Sequence, residues 1–467
     1  MQHHIRLSER GIFLKQKTLK EFVNRKGISY PKIAVFGFVL VIIAGTFLLM
    51  LPVSSRSHTS AGFFDAFFTA TSATCITGLV VCDTYTHWSL FGQTVILLLI
   101  QTGGLGFMTV VAMFSLIAGK RIGLRERGLL QESINLPKLG DTVKTIKTII
   151  CGTFIIEAAG ALVLSFRLVP ELGAAEGIYN SVFLSVSAFC NSGFDLNGRY
   201  AEYSSLTVYR NDFAVLIPLM LLIISGSIGF PVWNDIKEKK LKLRRYTLNS
   251  KLALTMTAVL TLAGAVLFFI FEQHNTLSSM NIQEKIISSF FLSVSPRTAG
   301  FNTVELTELS PSSKLLHLIY MFIGGNPVSM AGGAKTTTVA VVFLYAWSSL
   351  RNHKDCNIFG RRLEDETLKK AVTIISINVF LIAFSTIIIS SVEKTLPMND
   401  IVFEVFSAVT TGGMTMGITR DLSVLSKTIV LLLMFCGRVG SISFILLFAE
   451  NKKYSAVKNP TEKISIG

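Results

Sequence analysis

Long apolar runs alternate with short polar segments along the whole chain. A helix needs roughly 20 predominantly apolar residues to cross the hydrocarbon core of a bilayer. Eight runs reach that length and predict eight transmembrane helices, at about residues 33–53, 88–118, 148–168, 213–234, 252–271, 314–348, 371–392 and 427–449. Since every stretch between these runs is short, we expect an all-α integral membrane protein without a large soluble domain.

Four further apolar runs are too short to cross a membrane, and they are copies of one another. They read FFDAFFTATSATCITGL, IYNSVFLSVSAFCNSGF, IISSFFLSVSPRTAGF and IVFEVFSAVTTGGM, and they end at Leu79, Phe194, Phe301 and Met414. Their glycines are 115, 107 and 113 residues apart, at Gly78, Gly193, Gly300 and Gly413. Aligned on these glycines, the copies have a phenylalanine ten positions earlier, at Phe68, Phe183, Phe290 and Phe403. Six positions earlier they have Ser72, Ser187, Val294 and Ser407.

Each copy predicts a span, a short re-entrant helix, a glycine-bearing loop and a second span. Backbone without helical hydrogen bonds is tolerated at membrane depth only where it is buried in protein or lines a watery cavity. Four such loops can surround one axis, where their carbonyl oxygens replace the hydration shell of an ion. For any single copy, an ordinary tight turn before a helix, with glycine as the turn residue, is the better explanation. Four copies in register favour four parallel helix–pore-loop–helix repeats around one central pore.

The repeats divide the chain into an N-terminal arm at 1–32, pore repeats at 33–118, 119–234, 235–350 and 351–449, and a tail at 450–467. Of the 44 Lys and Arg residues, 32 lie in five places, at 1–32, 119–147, 233–251, 348–370 and 450–467. The positive-inside rule then predicts that both termini and the three basic loops are cytoplasmic. The net charge of +15 therefore reports orientation. It also suits anionic lipid and does not indicate a nucleic-acid partner.

Six short motifs resemble the Trk/Ktr/HKT superfamily of potassium-uptake proteins, and most of all the bacterial Ktr membrane subunit. They are CITGL at 75–79, CNSGF at 190–194, SPRTAGFN at 295–302, AGGAKTTT at 331–338, GMTMG at 413–417 and GRVG at 437–440. The resemblance extends from about residue 33 to 450. It implies a protein of the bacterial plasma membrane that takes up potassium through a channel-like selectivity filter, with activation by sodium left open.

The resemblance also implies which residues bind the ion. The filter glycines are Gly78, Gly193, Gly300 and Gly413. The carbonyl groups before them belong to Ile76, Thr77, Asn191, Ser192, Thr298, Ala299, Thr411 and Gly412. In related plant proteins a serine at the first filter position accompanies sodium preference, so Gly78 favours potassium.

A glycine-rich stretch interrupts the sixth predicted span. Its members include Gly324, Gly325, Asn326, Pro327, Gly332 and Gly333, and Lys335 follows them. Proline and four glycines cannot sustain a regular helix, so this span should be broken near mid-membrane. The resemblance implies that the break is a gate below the filter, although Asn326 and Val328 depart from the small residues expected there. A structural kink, with Lys335 reaching the cytoplasmic interface, is the alternative.

Charged groups inside spans are costly and therefore functional candidates. Arg438 lies in the last span, where its guanidinium needs carbonyl or water acceptors. The resemblance places it below the filter as a pore-facing charge, and pairing with Glu157 is the alternative. Arg297, in the third loop, is expected to brace that loop rather than to contact the ion.

The sequence thus predicts potassium uptake, with an ion-coupled sodium or proton symporter as the alternative. No catalytic motif and no Cys/His cluster is found, so we expect neither an enzyme nor a metal site other than potassium at the filter, and no organic cofactor. By resemblance alone, the chain works as a homodimer. A ring of cytosolic regulatory subunits, which would hold the nucleotide, completes the expected assembly.

Overall fold

A computed structural model of the protein describes residues 30–106, 109–113, 142–240, 242–353, 355–440 and 462. These residues are mostly helical, as predicted. Nearly all of the predicted N-terminal arm, most of the basic segment 119–147 and nearly all of the tail lie outside the described residues.

The helices fall into groups along the chain. They are α1 (Tyr30–Leu49), α2 (Phe63–Thr74), α3 (Leu90–Leu105), α4 (Thr142–Leu172), α5 (Ala174–Phe189), α6 (Phe213–Ser227), α7 (Phe230–Lys239), α8 (Leu248–Glu272), α9 (Ile282–Val294), α10 (Pro311–Ile323), α11 (Thr336–Leu350), α12 (Asp365–Val392), α13 (Met398–Thr410) and α14 (Val424–Val439). A hairpin of β1 (Asn357–Ile358) and β2 (Arg361–Arg362) separates α11 from α12. Short 3₁₀ turns lie in several of the other connections.

Three described helices are long and apolar enough to cross a membrane, namely α4, α8 and α12. The pair α6 and α7 would be a fourth span, bent by 93°. The apolar helices α1, α3 and α11 are shorter than a full span within the described residues. The count of eight spans therefore stays a prediction.

Two predicted spans are not continuous helices. The predicted span 213–234 bends between α6 and α7, because Gly229 has a φ of 94° and Pro231 lies in the first turn of α7. The predicted span 314–348 consists of α10 and α11, separated by residues 324–335. This second interruption lies where the glycines and Pro327 predict it.

Four helices of 12 to 16 residues, α2, α5, α9 and α13, each lead into one of the glycine-bearing loops. Each has a buried phenylalanine nine or ten positions before its loop glycine, at Phe68, Phe183, Phe291 and Phe403. In the third copy the buried ring is that of Phe291. Phe290, which the alignment on the glycines puts in this position, is only partly buried. The segment from this phenylalanine to the glycine is thus one residue shorter in the third copy than in the others.

Polar contacts tie the helices that flank three of these loops. Glu272 at the end of α8 accepts hydrogen bonds from Ser310 N (3.0 Å) and Oγ (2.7 Å) before α10. Glu393, which follows α12, accepts from Ser423 N at 2.8 Å and Ser426 Oγ at 2.6 Å, at the start of α14. Hydrogen bonds from Ser423 and Ser426 lower the pKa of the Glu393 carboxyl. Arg167 and Asp212 pair at 2.6 Å between α4 and α6. These contacts fix the frame around the loops.

Candidate functional site

The four loop glycines form a closed ring in chain order. All have positive φ, at 91° for Gly78, 74° for Gly193, 80° for Gly300 and 76° for Gly413. A Cβ atom added to Gly78 would lie 3.3 Å from the Cα atoms of Gly193 and Gly413, and one added to Gly300 would lie 3.1 and 3.3 Å from the same two Cα atoms. Backbone atoms from all four loops therefore crowd around one axis, and no side chain fits there.

The carbonyl oxygen before each glycine lies against the neighbouring loop. A Cβ at Gly193 would be 2.9 Å from the Ala299 oxygen, and one at Gly300 would be 3.3 Å from the Gly412 oxygen. Added Cβ atoms at Gly78 and Gly413 would overlap the oxygens of Ser192 and Thr77. Four carbonyl oxygens, one from each loop, thus belong to the ring.

A second residue in each loop also has a left-handed backbone. The φ values are 50° for Ile76, 57° for Asn191, 71° for Thr298 and 51° for Thr411. This conformation is uncommon for residues other than glycine, and it persists only where the surroundings hold it. Part of the restraint comes from the next residue in each loop, whose backbone N–H donates to a carbonyl oxygen at the end of the short helix, at 2.7 to 2.9 Å. The donors are Thr77 N, Ser192 N, Ala299 N and Gly412 N. All twelve filter residues named from the sequence lie in these four loops.

Hydroxyl groups of the short helices hold three of the loops. Ser72 Oγ accepts from Gly78 N at 3.2 Å, and Ser187 Oγ donates to Phe194 O at 2.5 Å. In the third copy Ser295 donates to Phe301 O at 2.5 Å, so Ser295 takes the place that the glycine alignment assigns to Val294. The shorter third copy explains this shift.

The short helices direct their C-terminal ends at the ring, since each ends three to six residues before its glycine. The last turns of α2, α5, α9 and α13 contain no basic residue. A helix C-terminus carries a partial negative charge. Four such ends favour a cation on the axis.

A cavity of about 350 Å³ opens on one side of the ring and has all four glycines at its base. Four acidic residues, Asp83, Asp195, Glu202 and Glu305, line it together with Arg420. We call this cavity the vestibule. Because negative charge exceeds positive charge on its walls, the vestibule attracts cations.

The interruption at 324–335, called here the intramembrane loop, lies on the other side of the ring. Gly332 N donates to Thr298 Oγ1 at 3.1 Å, and Arg297 Nε donates to Gly324 O at 3.3 Å. The residues that line the vestibule are the ring glycines and residues that follow them in the sequence. The contacts of the intramembrane loop are instead with Thr298 and Arg297, which precede Gly300, so this loop and the vestibule lie on opposite sides of the ring. Arg297 is buried and braces the third loop, as the sequence predicts.

Several hydrogen bonds hold the intramembrane loop in place. Asn326 Nδ2 donates to Ser227 O at 3.2 Å and Thr257 Oγ1 at 2.9 Å, and its Oδ1 accepts from Thr336. Phe230 N donates to Val328 O at 2.9 Å. Lys335 donates to Ala331 O within the same loop, so its ammonium turns back onto the loop instead of extending away from it.

Arg438 connects α14 to the intramembrane loop and to the end of α3. Its guanidinium donates to Met330 O at 2.8 Å, to Gly104 O at 3.0 Å and to Gly103 O. Carbonyl acceptors are what the sequence predicts for this group. The alternative pairing with Glu157 is not formed, because the Glu157 carboxylate accepts from Gln101 Nε2 at 3.1 Å instead.

One buried acidic residue beside the fourth loop was not predicted from the sequence. Glu404 on α13 accepts a hydrogen bond from Thr415 Oγ1 at 2.8 Å. The sequence does contain a sign of this residue. Among the four copied segments as aligned, only the fourth has an acidic residue, Glu404, directly after the aligned phenylalanine.

Residues 29–457 match the family described as TrkH, cation transport protein. The chain belongs to the TrkH family of cation transport proteins. The Ktr system potassium uptake protein B of Bacillus subtilis is 39% identical to it, over 94% of this chain and 96% of that protein. The potassium/sodium uptake protein NtpJ of Enterococcus hirae is 38% identical, over 95% and 98%.

The fold of this TrkH-family chain is that of a solved relative. The crystal structure of the potassium transporter TrkH from Vibrio parahaemolyticus superposes with a TM-score of 0.71, covering 91% of this chain and 86% of that one at 16% identity. Membership confirms the resemblance inferred from the six motifs. It also confirms a multi-pass membrane transport protein rather than an enzyme.

Proposed function

We propose that this TrkH-family protein takes up potassium ions through the ring of Gly78, Gly193, Gly300 and Gly413, which acts as a selectivity filter. The observation that carries the proposal is the closed ring of backbone, with one carbonyl oxygen from each loop beside it. Backbone carbonyls that replace a hydration shell select ions by number, spacing and field strength. The names of the Bacillus subtilis and Enterococcus hirae relatives support potassium as the ion.

The ion path has three parts in series. Cations collect in the acidic vestibule, lose water in the ring and then meet the intramembrane loop, which acts as the gate. Arg438 places a fixed positive charge beside that loop and limits the passage of cations electrostatically. Support for a gate comes from the loop's position, since it contacts the third filter loop on the side opposite the vestibule.

The gate is proposed to respond to a cytosolic regulatory subunit. The Bacillus subtilis relative is named as a component of a Ktr system, which supports a partner of this kind. The basic stretch after α7, which includes Arg244 and Arg245, and the Arg361–Arg362 strand offer it a positively charged surface. The nucleotide would bind the partner, and two copies of the chain would form the membrane unit.

Coupled transport is the second candidate, because the Enterococcus hirae relative is named for potassium and sodium. Potassium uptake by potassium-starved cells, measured with and without a candidate regulatory subunit, tests the proposed function. Potassium uptake that depends on the presence of the chain, and growth at low potassium that follows from it, would support the proposed function. Uptake equal to that of cells without the chain would refute it.

Orientation gives a separate prediction. We propose that both termini are cytoplasmic and that eight spans form four repeats, on the basis of the five basic clusters. Reporter fusions at residues 135 and 240 should be active in the cytoplasm, and a fusion at residue 306 should be active outside. Fusions at 135 or 240 that report an external location would contradict this topology.

A further inference from the structure

The fourth filter loop lacks the serine contact that holds the other three. Ser72, Ser187 and Ser295 each bond to backbone at or just after the ring glycine. Ser407 occupies the same position on α13, but its buried hydroxyl oxygen has no hydrogen-bond partner among the described residues. A different group must therefore restrain the outward part of the fourth loop.

Glu404 is placed to provide that restraint. The residue is 1% exposed, and its carboxyl oxygens accept from Thr415 Oγ1 at 2.8 Å and from Thr419 Oγ1. Thr415 lies two positions after Gly413, and its hydroxyl oxygen accepts from Gly417 N at 2.9 Å. Both threonines line the vestibule. The carboxylate thus connects the short helix to the chain that leaves the ring.

The contact exists in one loop of the four. The positions that correspond to Glu404, each directly after the buried phenylalanine, are Thr69, Leu184 and Leu292. None of these can place a carboxylate beside its loop, and the hydroxyl of Thr69 has no partner in the described part of the chain. The fourth loop is therefore held by a carboxyl group, whereas the other three are held by serine hydroxyls.

We propose that Glu404 is a positioning residue of the selectivity filter, which sets the ion preference of the ring by fixing the outward part of the fourth loop. The inference rests on the proposed function of the ring. A carboxyl group has two oxygens that can each accept a hydrogen bond, so Glu404 can hold both threonine hydroxyls at once and replace a backbone-directed serine. Glu404 forms no ion pair among the described residues, which leaves the two threonines as its hydrogen-bond partners there.

Movement of the fourth loop would reach the rest of the ring. A Cβ at Gly413 would overlap the Thr77 oxygen and lie 3.1 Å from the Gly300 Cα, so no free space separates the fourth loop from the first and third. A small displacement at Thr415 therefore changes the spacing of carbonyls from several loops. Since selectivity depends on that spacing, potassium affinity should change relative to sodium affinity.

The test compares Glu404→Ala, Glu404→Gln and Thr415→Val with the parent protein. The readout is the ratio of KM for potassium to KM for sodium in uptake assays, corrected for the amount of protein in the membrane. We expect Glu404→Ala and Thr415→Val each to raise this ratio about tenfold, which corresponds to ~1.4 kcal/mol. Combined, they should do little more than either alone, because they remove the same contact. Glu404→Gln, which keeps one oxygen acceptor, should have a smaller effect.

Thr69→Ala is the matched control, because it alters the corresponding position of the first repeat without removing a described side-chain hydrogen bond. Its ratio should equal that of the parent. If Glu404→Ala does not accumulate in the membrane, Glu404→Gln, Thr415→Val and the protein that combines these two changes are compared instead. Strictly additive effects of the two changes on the KM ratio would overturn the proposal. Unchanged ratios in the Glu404 variants, with a changed ratio in a Gly78→Ser protein, would refute the role of Glu404 and leave the filter standing. Unchanged ratios in both would refute the filter itself.

Discussion

A Gly78→Ser variant should lose most of its preference for potassium over sodium, with the relative affinity for potassium falling at least about tenfold. Gly78 has a φ of 91°, and a residue with a side chain pays about 1–3 kcal/mol for such a backbone. Its Cβ would also overlap the Ser192 oxygen, which is a proposed ion ligand. Both effects push ring atoms away from their positions. Competition between potassium and sodium in uptake assays measures the change.

Gly173→Ser provides a control for backbone strain alone. Gly173 has a φ of 83° at the start of α5, and a Cβ added there meets nothing within 4 Å. This variant should keep the parent preference even if its stability falls. An unchanged ion preference in Gly78→Ser, at normal membrane levels, would show that Gly78 is not part of the filter.

Deleting residues 326–330 should raise potassium flux and make it less dependent on a regulatory subunit. The deletion removes Asn326 together with the backbone partners of Phe230 and Arg438 at Val328 and Met330. The intramembrane loop then loses these attachments to α6, α7, α8 and α14. Ion preference should stay near that of the parent, because the four filter loops are untouched. Flux with and without the regulatory partner is the measurement.

Asn326→Ala tests the same gate without shortening the chain. It removes three hydrogen bonds, to Ser227, Thr257 and Thr336. At about 0.5–1.5 kcal/mol net for each bond, the closed loop should be weakened enough to raise resting flux about tenfold or more. Ser225→Ala is the control, since within the described part of the chain its hydroxyl bonds only to Leu221 O in its own helix. Normal insertion with unchanged flux and full dependence on the partner, in both loop variants, would reduce the loop to a structural kink.

Composition alone was enough to predict some parts of the site. The glycines and Pro327 predicted the interruption between α10 and α11, because such residues cannot continue a helix. The bend between α6 and α7 was not predicted, because the apolar run continues through Gly229 and hydropathy does not report a positive φ. The need of Arg438 for carbonyl acceptors was predictable, but its partners come from two segments distant in the sequence, Gly103 and Gly104 at the end of α3 and Met330 in the intramembrane loop.

Register was the main error within the repeats. Alignment on the glycines assigned Phe290 and Val294 to places that Phe291 and Ser295 occupy, since the third copy is one residue shorter between the buried phenylalanine and the glycine. Side-chain contacts were needed to find this. Glu404 was missed for a related reason, because its meaning depends on Thr415 and Thr419, which follow the copied segment and fold back onto it.

Potassium current through purified protein in liposomes, with sodium and proton gradients varied independently, tests the central claim most directly. The protein with residues 326–330 deleted is measured beside the full chain, because the deletion is expected to raise the current. A conduit formed by the four-loop ring predicts a reversal potential that follows the potassium gradient and ignores the sodium and proton gradients. A reversal potential that shifts in fixed proportion to either of those gradients would contradict the account and establish a coupled symporter.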